Sequence, residues 1–128
     1  MLRGYELNFK LSAGQVMPHT GELPTAHSFV SVKPENLVLT AMKKSEDGDS
    51  LILRFYEWAG RQTQARIAVP DGATSAAETN LMEQEAGGTN ARLPLSGNTF
   101  ELSAGPYSIN TVRVDYGKRG DAFWQAQK

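Results

Sequence analysis

The residues of this chain that could do chemistry are few, and none stands in a recognised catalytic spacing. His19 and His27 lie in a stretch rich in glycine and proline, where zinc would need two further ligands and no H-E-x-x-H pattern supplies them. They read as loop histidines. Glu46-Asp47-Gly48-Asp49 gathers carboxylates at a glycine, as calcium loops do. An EF-hand loop, however, ends in a glutamate at its twelfth position and sits between helices, whereas this segment sits between strand-like runs. A solvated hairpin turn accounts for it. No serine stands in a G-x-S-x-G elbow, no glycine cluster has phosphate-loop spacing, and cysteine is absent, which removes thiolate nucleophiles, thiolate metal sites and disulfides. Glu57, Glu78, Glu83 and Glu101 are the carboxylates from which a glycosidase pair would be drawn if the fold brought two together. Their spacing alone does not.

The elements that must position these groups are strands. Short apolar or alternating runs recur between turn signals, the spacing of a sandwich or barrel. Strands are expected over Tyr5–Leu11, Phe29–Val32, Asn36–Lys43, Ser50–Trp58, Gln62–Val69, Asn98–Leu102 and Pro106–Tyr116. The clearest unit is the hairpin from Leu37 to Tyr56, turning at Asp47-Gly48. In its second strand Leu51, Leu53 and Phe55 share a core face, while Ile52, Arg54, Tyr56 and Trp58 share the other. Water would normally meet a polar surface there. Arg54 among apolar and aromatic neighbours reads either as a surface covered by another domain or as an ordinary strand with scattered exposed aromatics.

The last strand breaks phase: Tyr107 and Ile109 are odd, whereas Val112, Val114 and Tyr116 are even. A bulge near Asn110-Thr111, or burial on both faces of a central strand, would reconcile them. Between Thr74 and Leu93 the local signals favour helix, because Ser75-Ala76-Ala77-Glu78 has capping-box spacing and Gly87 could end it. Ser12–Ala26 reads as a loop or linker, and residues 117–128 as a tail.

The composition, with 13 basic and 14 acidic residues among 128 and a net charge of -1, is that of one folded domain. The basic residues are scattered, which argues against nucleic acid as a partner. No apolar run reaches the length of a membrane span, so no membrane partner is expected. The lack of cysteine favours a reducing, cytoplasmic setting without fixing the compartment.

Read together, the stretches Gly4-Tyr5-Glu6-Leu7-Asn8, His19-Thr20-Gly21 with Leu23-Pro24, Ser28-Phe29-Val30-Ser31-Val32, Pro34 to Lys44, and Leu51 to Glu57 with Gly60 resemble the C-terminal β region of glycoside hydrolase family 38, the α-mannosidases. Glu78-Thr79-Asn80-Leu81-Met82-Glu83 and Pro106 to Arg113 continue the resemblance, which covers about Gly4 to Val114. Ser108 and Tyr107 depart from it, standing where an acidic residue and Phe are common. The resemblance implies an all-β fold, an antiparallel β-sandwich of immunoglobulin-like or similar two-sheet architecture. It also implies a strand rather than a helix around Glu78–Glu83. Residues 1–27 would then hold the closing strand of a preceding central β-domain and a linker, 28–116 the sandwich, and 117–128 the tail.

By the same resemblance the nucleophile and zinc of a retaining mannosidase belong to an N-terminal catalytic domain that this chain does not contain. No metal or other cofactor is therefore expected here. The expected role is accessory: packing on the upstream domains of the parent and edging its substrate cleft. Arg54, Glu57, Tyr56 and Trp58 are the substrate or interface candidates, Arg54 as a bidentate partner for a carboxylate or a sugar hydroxyl. An ion pair within the domain accounts for Arg54 as simply. Two rivals remain. One is a free-standing module binding mannose-containing glycans by stacking on Tyr56, Trp58 or Trp124; the other is a homo-oligomer surface.

Overall fold

The computed structural model describes residues 4, 7–8, 11–46, 48–84 and 91–117. Eight strands account for nearly all its regular structure: β1 Ser31–Lys33, β2 Leu37–Lys44, β3 Leu51–Glu57, β4 Thr63–Ala68, β5 Ser75–Thr79, β6 Arg92–Leu93, β7 Thr99–Ala104 and β8 Ile109–Asp115. They form two antiparallel sheets, one ordered β1-β4-β7 and the other β2-β3-β8-β5-β6. The fold is the expected two-sheet β-sandwich.

Alternation explains why the sheets face each other. Leu51, Leu53 and Phe55 of β3, Val112 and Val114 of β8 and Ala76 of β5 point inward and are almost wholly buried. They pack with Ala65 and Ile67 of β4 and Phe100, Leu102 and Ala104 of β7 in one cluster. Apolar area removed from water on both inner faces is the main stabilising term. The central β8 is paired on both sides, with β3 and with β5, in unbroken register.

That register corrects one expectation: there is no bulge at Asn110-Thr111. The out-of-phase Ile109 stands opposite Tyr56 on the outer face and is 59% exposed, while Tyr107 precedes the strand in a turn. The irregularity lies instead in β2, where the register shifts between Leu39 and Ala41 and Thr40 Oγ1 donates to Arg54 O at 3.0 Å. The capping-box helix does not form either. Ser75–Thr79 pairs along β8 from Asp115 to Thr111, so ladder bonds to a central strand override a local helix signal.

Of the segment expected as a first strand, Tyr5, Glu6, Phe9 and Lys10 lie outside the described residues, while Gly4, Leu7 and Asn8 have helical backbone. Residues 11–20 are exposed and without regular structure. Asp47 and residues 118–128, including Trp124, also lie outside the described residues.

Three of the chain's crossings from one sheet to the other occur at one end of the sandwich: β1 to β2, β3 to β4, and β7 to β8. Backbone that leaves a ladder has N–H groups to satisfy, and all three crossings satisfy some of them at a single side chain, Glu57.

Candidate functional site

The outer face of the larger sheet is organised in cross-strand rows. Lys43 of β2, Ile52 of β3, Arg113 of β8 and Ala77 of β5 form the first; Ala41, Arg54, Thr111 and Thr79 the second; Val38, Tyr56 and Ile109 the third. The β3–β8 pairing continues past the ladder, since Glu57 N–H donates to Ser108 O at 3.0 Å. Extending that register by one step sets Trp58 across from Tyr107.

The first row is closed by the chain itself. After β5 the turn Asn80–Gln84 is tied by Asn80 Oδ1, which accepts from Met82 N–H at 2.9 Å and Gln84 N–H at 3.0 Å. It delivers the buried Glu83 carboxylate to Lys43 Nζ at 2.7 Å and to Glu46 N–H at 2.9 Å. The Lys43 ammonium and the Glu46 N–H outweigh burial and hold the Glu83 carboxyl below the usual range, with Arg113 adding to the effect. Ile52, between Lys43 and Arg113 in this row, is 1% exposed, so its cover comes from within the domain.

The second and third rows are open. Arg54 is half-buried; its Nε donates to Thr111 Oγ1 at 3.3 Å and its Nη2 to Leu81 O at 3.4 Å. Among the described residues no carboxylate pairs with it. An intradomain ion pair therefore does not account for Arg54. Around it stand half-buried Tyr56 and exposed Ile109, Leu81 and Met82. Trp58 is half-buried, with Nε1 donating to Glu35 O at 3.1 Å. The chemistry such a surface offers is recognition: a planar cation with free donors, set in apolar and aromatic area.

Glu57 faces the other way. It continues the inner column Leu51, Leu53, Phe55 and is fully buried. Its Oε1 accepts from Asn36 Nδ2 at 2.8 Å and Ala59 N–H at 2.9 Å; its Oε2 accepts from Gly60 N–H at 2.8 Å, Arg61 N–H at 3.1 Å and Tyr107 N–H at 3.0 Å. Burial alone would push this carboxyl up, but the donors, led by Tyr107 N–H and the Asn36 amide, bring it down to about 2. With five donors its acceptor capacity is filled by the domain, which leaves it unable to take a sugar hydroxyl or a partner's cation.

The corner that Glu57 ties is shaped by two left-handed residues. Gly60 has φ +70° and Tyr107 has φ +56°. A Cβ on Gly60 would lie 2.5 Å from the Tyr107 ring, so the ring packs where only glycine leaves room. Tyr107 follows Pro106 in a turn closed by Ser108 N–H to Gly105 O at 3.2 Å. Glycine or asparagine would take that second central position without strain, whereas an ordinary L-residue in this region costs roughly 1–2 kcal/mol. Tyr107 is nevertheless 65% exposed.

The other carboxylates are dispersed. Glu78 Oε1 accepts from Asn110 Nδ2 at 3.2 Å, Glu101 stands opposite Arg66 in the smaller sheet, and Glu83 is engaged as described. The turn carboxylates are also engaged, Glu46 by Lys43 and Asp49 by Lys44 at 2.5 Å. His19 contacts Thr20 O at 3.1 Å, and His27 packs edge-on against Phe29 with ring centroids 4.7 Å apart. Among the described residues no three His, Asp or Glu side chains group as metal ligands, so the zinc implied by resemblance has no ligand set here. Sequence reasoning missed Tyr107, Ile109 and Leu81 as members of the open face. The phase break at Tyr107 and Ile109 was their signal.

Comparison with curated proteins gives no match. A family model does match: the glycosyl hydrolases family 38 C-terminal beta sandwich domain, over residues 36–112. The match begins just before β2 and ends inside β8, and so spans the whole larger sheet apart from the end of β8, together with β4 and β7. With its two antiparallel sheets and a match over more than half its length, the chain belongs to the family 38 glycosyl hydrolase C-terminal β-sandwich domains, the accessory rather than the catalytic part of such enzymes.

Proposed function

We propose that this domain packs against the catalytic and central domains of a retaining α-mannosidase through the open rows of its larger sheet, supporting that architecture and edging the substrate cleft. The observation that carries the reading is Arg54: a half-buried guanidinium with no carboxylate partner among the described residues, surrounded by Tyr56, Ile109, Leu81 and Met82. A cation so placed is completed by a carboxylate from outside, and Arg among aromatic residues is the usual make-up of an interface anchor. Tyr56 and Trp58 supply flat apolar area on the same strand, and Glu57 behind them fixes the corner on which that strand ends.

The test uses the full-length parent. Arg54→Ala is expected to lower the parent's melting temperature or raise its KM for an aryl α-mannoside, while the melting of the 128-residue chain stays within a few degrees of wild type. A parent whose stability and kinetics are both untouched by Arg54→Ala would refute the interface. Hydrolysis of an aryl α-mannoside by the 128-residue chain with added zinc would refute the accessory role.

A further inference from the structure

Tyr107 stands out from the rest of the exposed surface because the fold holds it there against its own backbone preference. Its φ is +56°, its ring packs against Gly60, and its N–H is fixed on the buried Glu57 carboxylate. A turn that needed only to reverse the chain after Pro106 would be better served by glycine or asparagine. Strain maintained by a buried hydrogen-bond network points to a use for the side chain being held.

Its position says what that use is. Extended by one step, the β3–β8 register sets Tyr107 across from Trp58, beyond the pairs Tyr56–Ile109 and Arg54–Thr111. The result is one continuous strip of Arg54, Tyr56 and Trp58 beside Thr111, Ile109 and Tyr107. Tyr107 at 65% and Ile109 at 59% are its most exposed large side chains. Around Arg54 the polar groups of this strip are cationic or hydroxyl only, and Trp58 has already committed its N–H to Glu35 O. Sugar sites rely on carboxylate and amide acceptors for the hydroxyls beside their aromatic platform; this strip lacks them among the described residues. A protein surface that is apolar with one carboxylate fits better.

We infer that Tyr107 is the anchor of the docking strip, held rigid by the Glu57 corner so that its ring enters an apolar hollow on the preceding domain of the parent enzyme while Arg54 meets a carboxylate at that hollow's rim. The inference rests on the docking reading proposed above and adds the residue that seats first and the chemistry of its receptor. Pre-organisation is the reason for the strain: a side chain already fixed in its bound conformation loses less entropy on docking.

The test compares two variants in two settings. In the 128-residue chain Tyr107→Gly relieves the left-handed strain, and its melting temperature is expected to stay within a few degrees of wild type; Tyr107→Asn, which also tolerates that conformation, should behave alike. In the intact parent, Tyr107→Gly and Arg54→Ala are each expected to raise the rate of protease cleavage in the 12–26 linker roughly tenfold or more, because the domain is released from its neighbour. If Arg54→Ala raises cleavage and Tyr107→Gly does not, the anchor assignment is overturned while the docking face stands. If neither raises it, the docking face itself is wrong. A large loss of melting temperature in the 128-residue chain carrying Tyr107→Gly would show Tyr107 to be an internal support and overturn the inference. Heat on titrating the wild-type chain with mannose oligosaccharides, abolished by Tyr107→Gly, would overturn it in favour of a sugar platform.

Discussion

Replacing Glu57 with glutamine changes one oxygen to an NH2 group and leaves the size of the side chain unchanged, which makes it a direct probe of the corner. Whichever way the amide turns, its NH2 group must face either Asn36 Nδ2 and Ala59 N–H or Gly60, Arg61 and Tyr107 N–H. At least two buried donors then lose their acceptor and meet another donor instead. Each such loss lowers the melting temperature of a domain of this size by several degrees, so Glu57→Gln is expected to melt roughly 10 °C or more below wild type at pH 7. The pH dependence adds a second signature. The folded carboxyl lies at about 2 against an ordinary 4.5, a depressed value, so its stabilisation is fully present above pH 4.5 and is lost as pH falls from 4.5 towards 2. The wild-type chain should therefore show a fall in melting temperature across that window that includes the uptake of one proton at this site, and Glu57→Gln should lack that component. Circular-dichroism melts from pH 2 to pH 7 measure both. Glu78→Gln is the control, because the half-buried Glu78 carboxylate accepts one bond, from Asn110. A Glu57→Gln chain melting within about 2 °C of wild type, with a parallel acid limb, would show that the three crossings do not depend on this carboxylate.

Three further outcomes follow from the same geometry. Phe55→Ala empties the space of one of the largest fully buried side chains and is expected to cost about 3–5 kcal/mol in urea unfolding, with a value under about 1 kcal/mol refuting its place at the centre of the core. Tyr116, buried and donating to Pro70 O at 3.2 Å, has its hydroxyl pushed up to about 12 by burial and by Asp71. A group favoured in its protonated form by folding stabilises fully below pH 10, and that part is lost as pH rises from 10 to 12; Tyr116→Phe should flatten the alkaline limb of the melting curve. Glu83→Ala removes the acceptor of Glu46 N–H, so amide exchange at Glu46 should speed up while amides of Leu53 and Val112 stay protected, and unchanged exchange at Glu46 would dissolve the proposed tie between the Asn80–Gln84 turn and the β2–β3 hairpin.

Period-two alternation carried most of the architecture. It places Leu51, Leu53 and Phe55 inside and Arg54, Tyr56 and Trp58 outside from the sequence of one strand, and the structure agrees. Where the sequence misled, long-range pairing prevailed over a local signal. Ser75–Thr79 carries a helix-start pattern but finds its hydrogen bonds along β8, and Ile109 looked out of phase because a strand's exposed face was assumed polar. Arg92-Leu93 was illegible as β6 because two residues have no period. Glu57 was noticed for its charge next to Arg54, yet the parity that sets it inside was available in the same strand. Its five donors come from residues 21 before to 50 after it in the chain, and no spacing rule would assemble them.

The two faces of β3 therefore cannot be varied independently. The pleat that continues the column Leu51, Leu53, Phe55 must bury the next side chain of that parity, and the apolar core ends there, at the level where three crossings turn and bring N–H groups without ladder partners. A carboxylate at that position, and no apolar side chain, satisfies them. The same pleat then forces Arg54, Tyr56 and Trp58 outward, and the Tyr107 N–H bound to Glu57 fixes the far end of the outward strip. A register slip of one residue would expose the Phe55 column and bury an unpaired guanidinium together, a double penalty that specifies this pairing over its neighbour. The carboxylate that holds the sheets together at one end thereby also sets the angle at which the outer strip is presented, and the stability of the corner and the competence of the surface rest on one side chain.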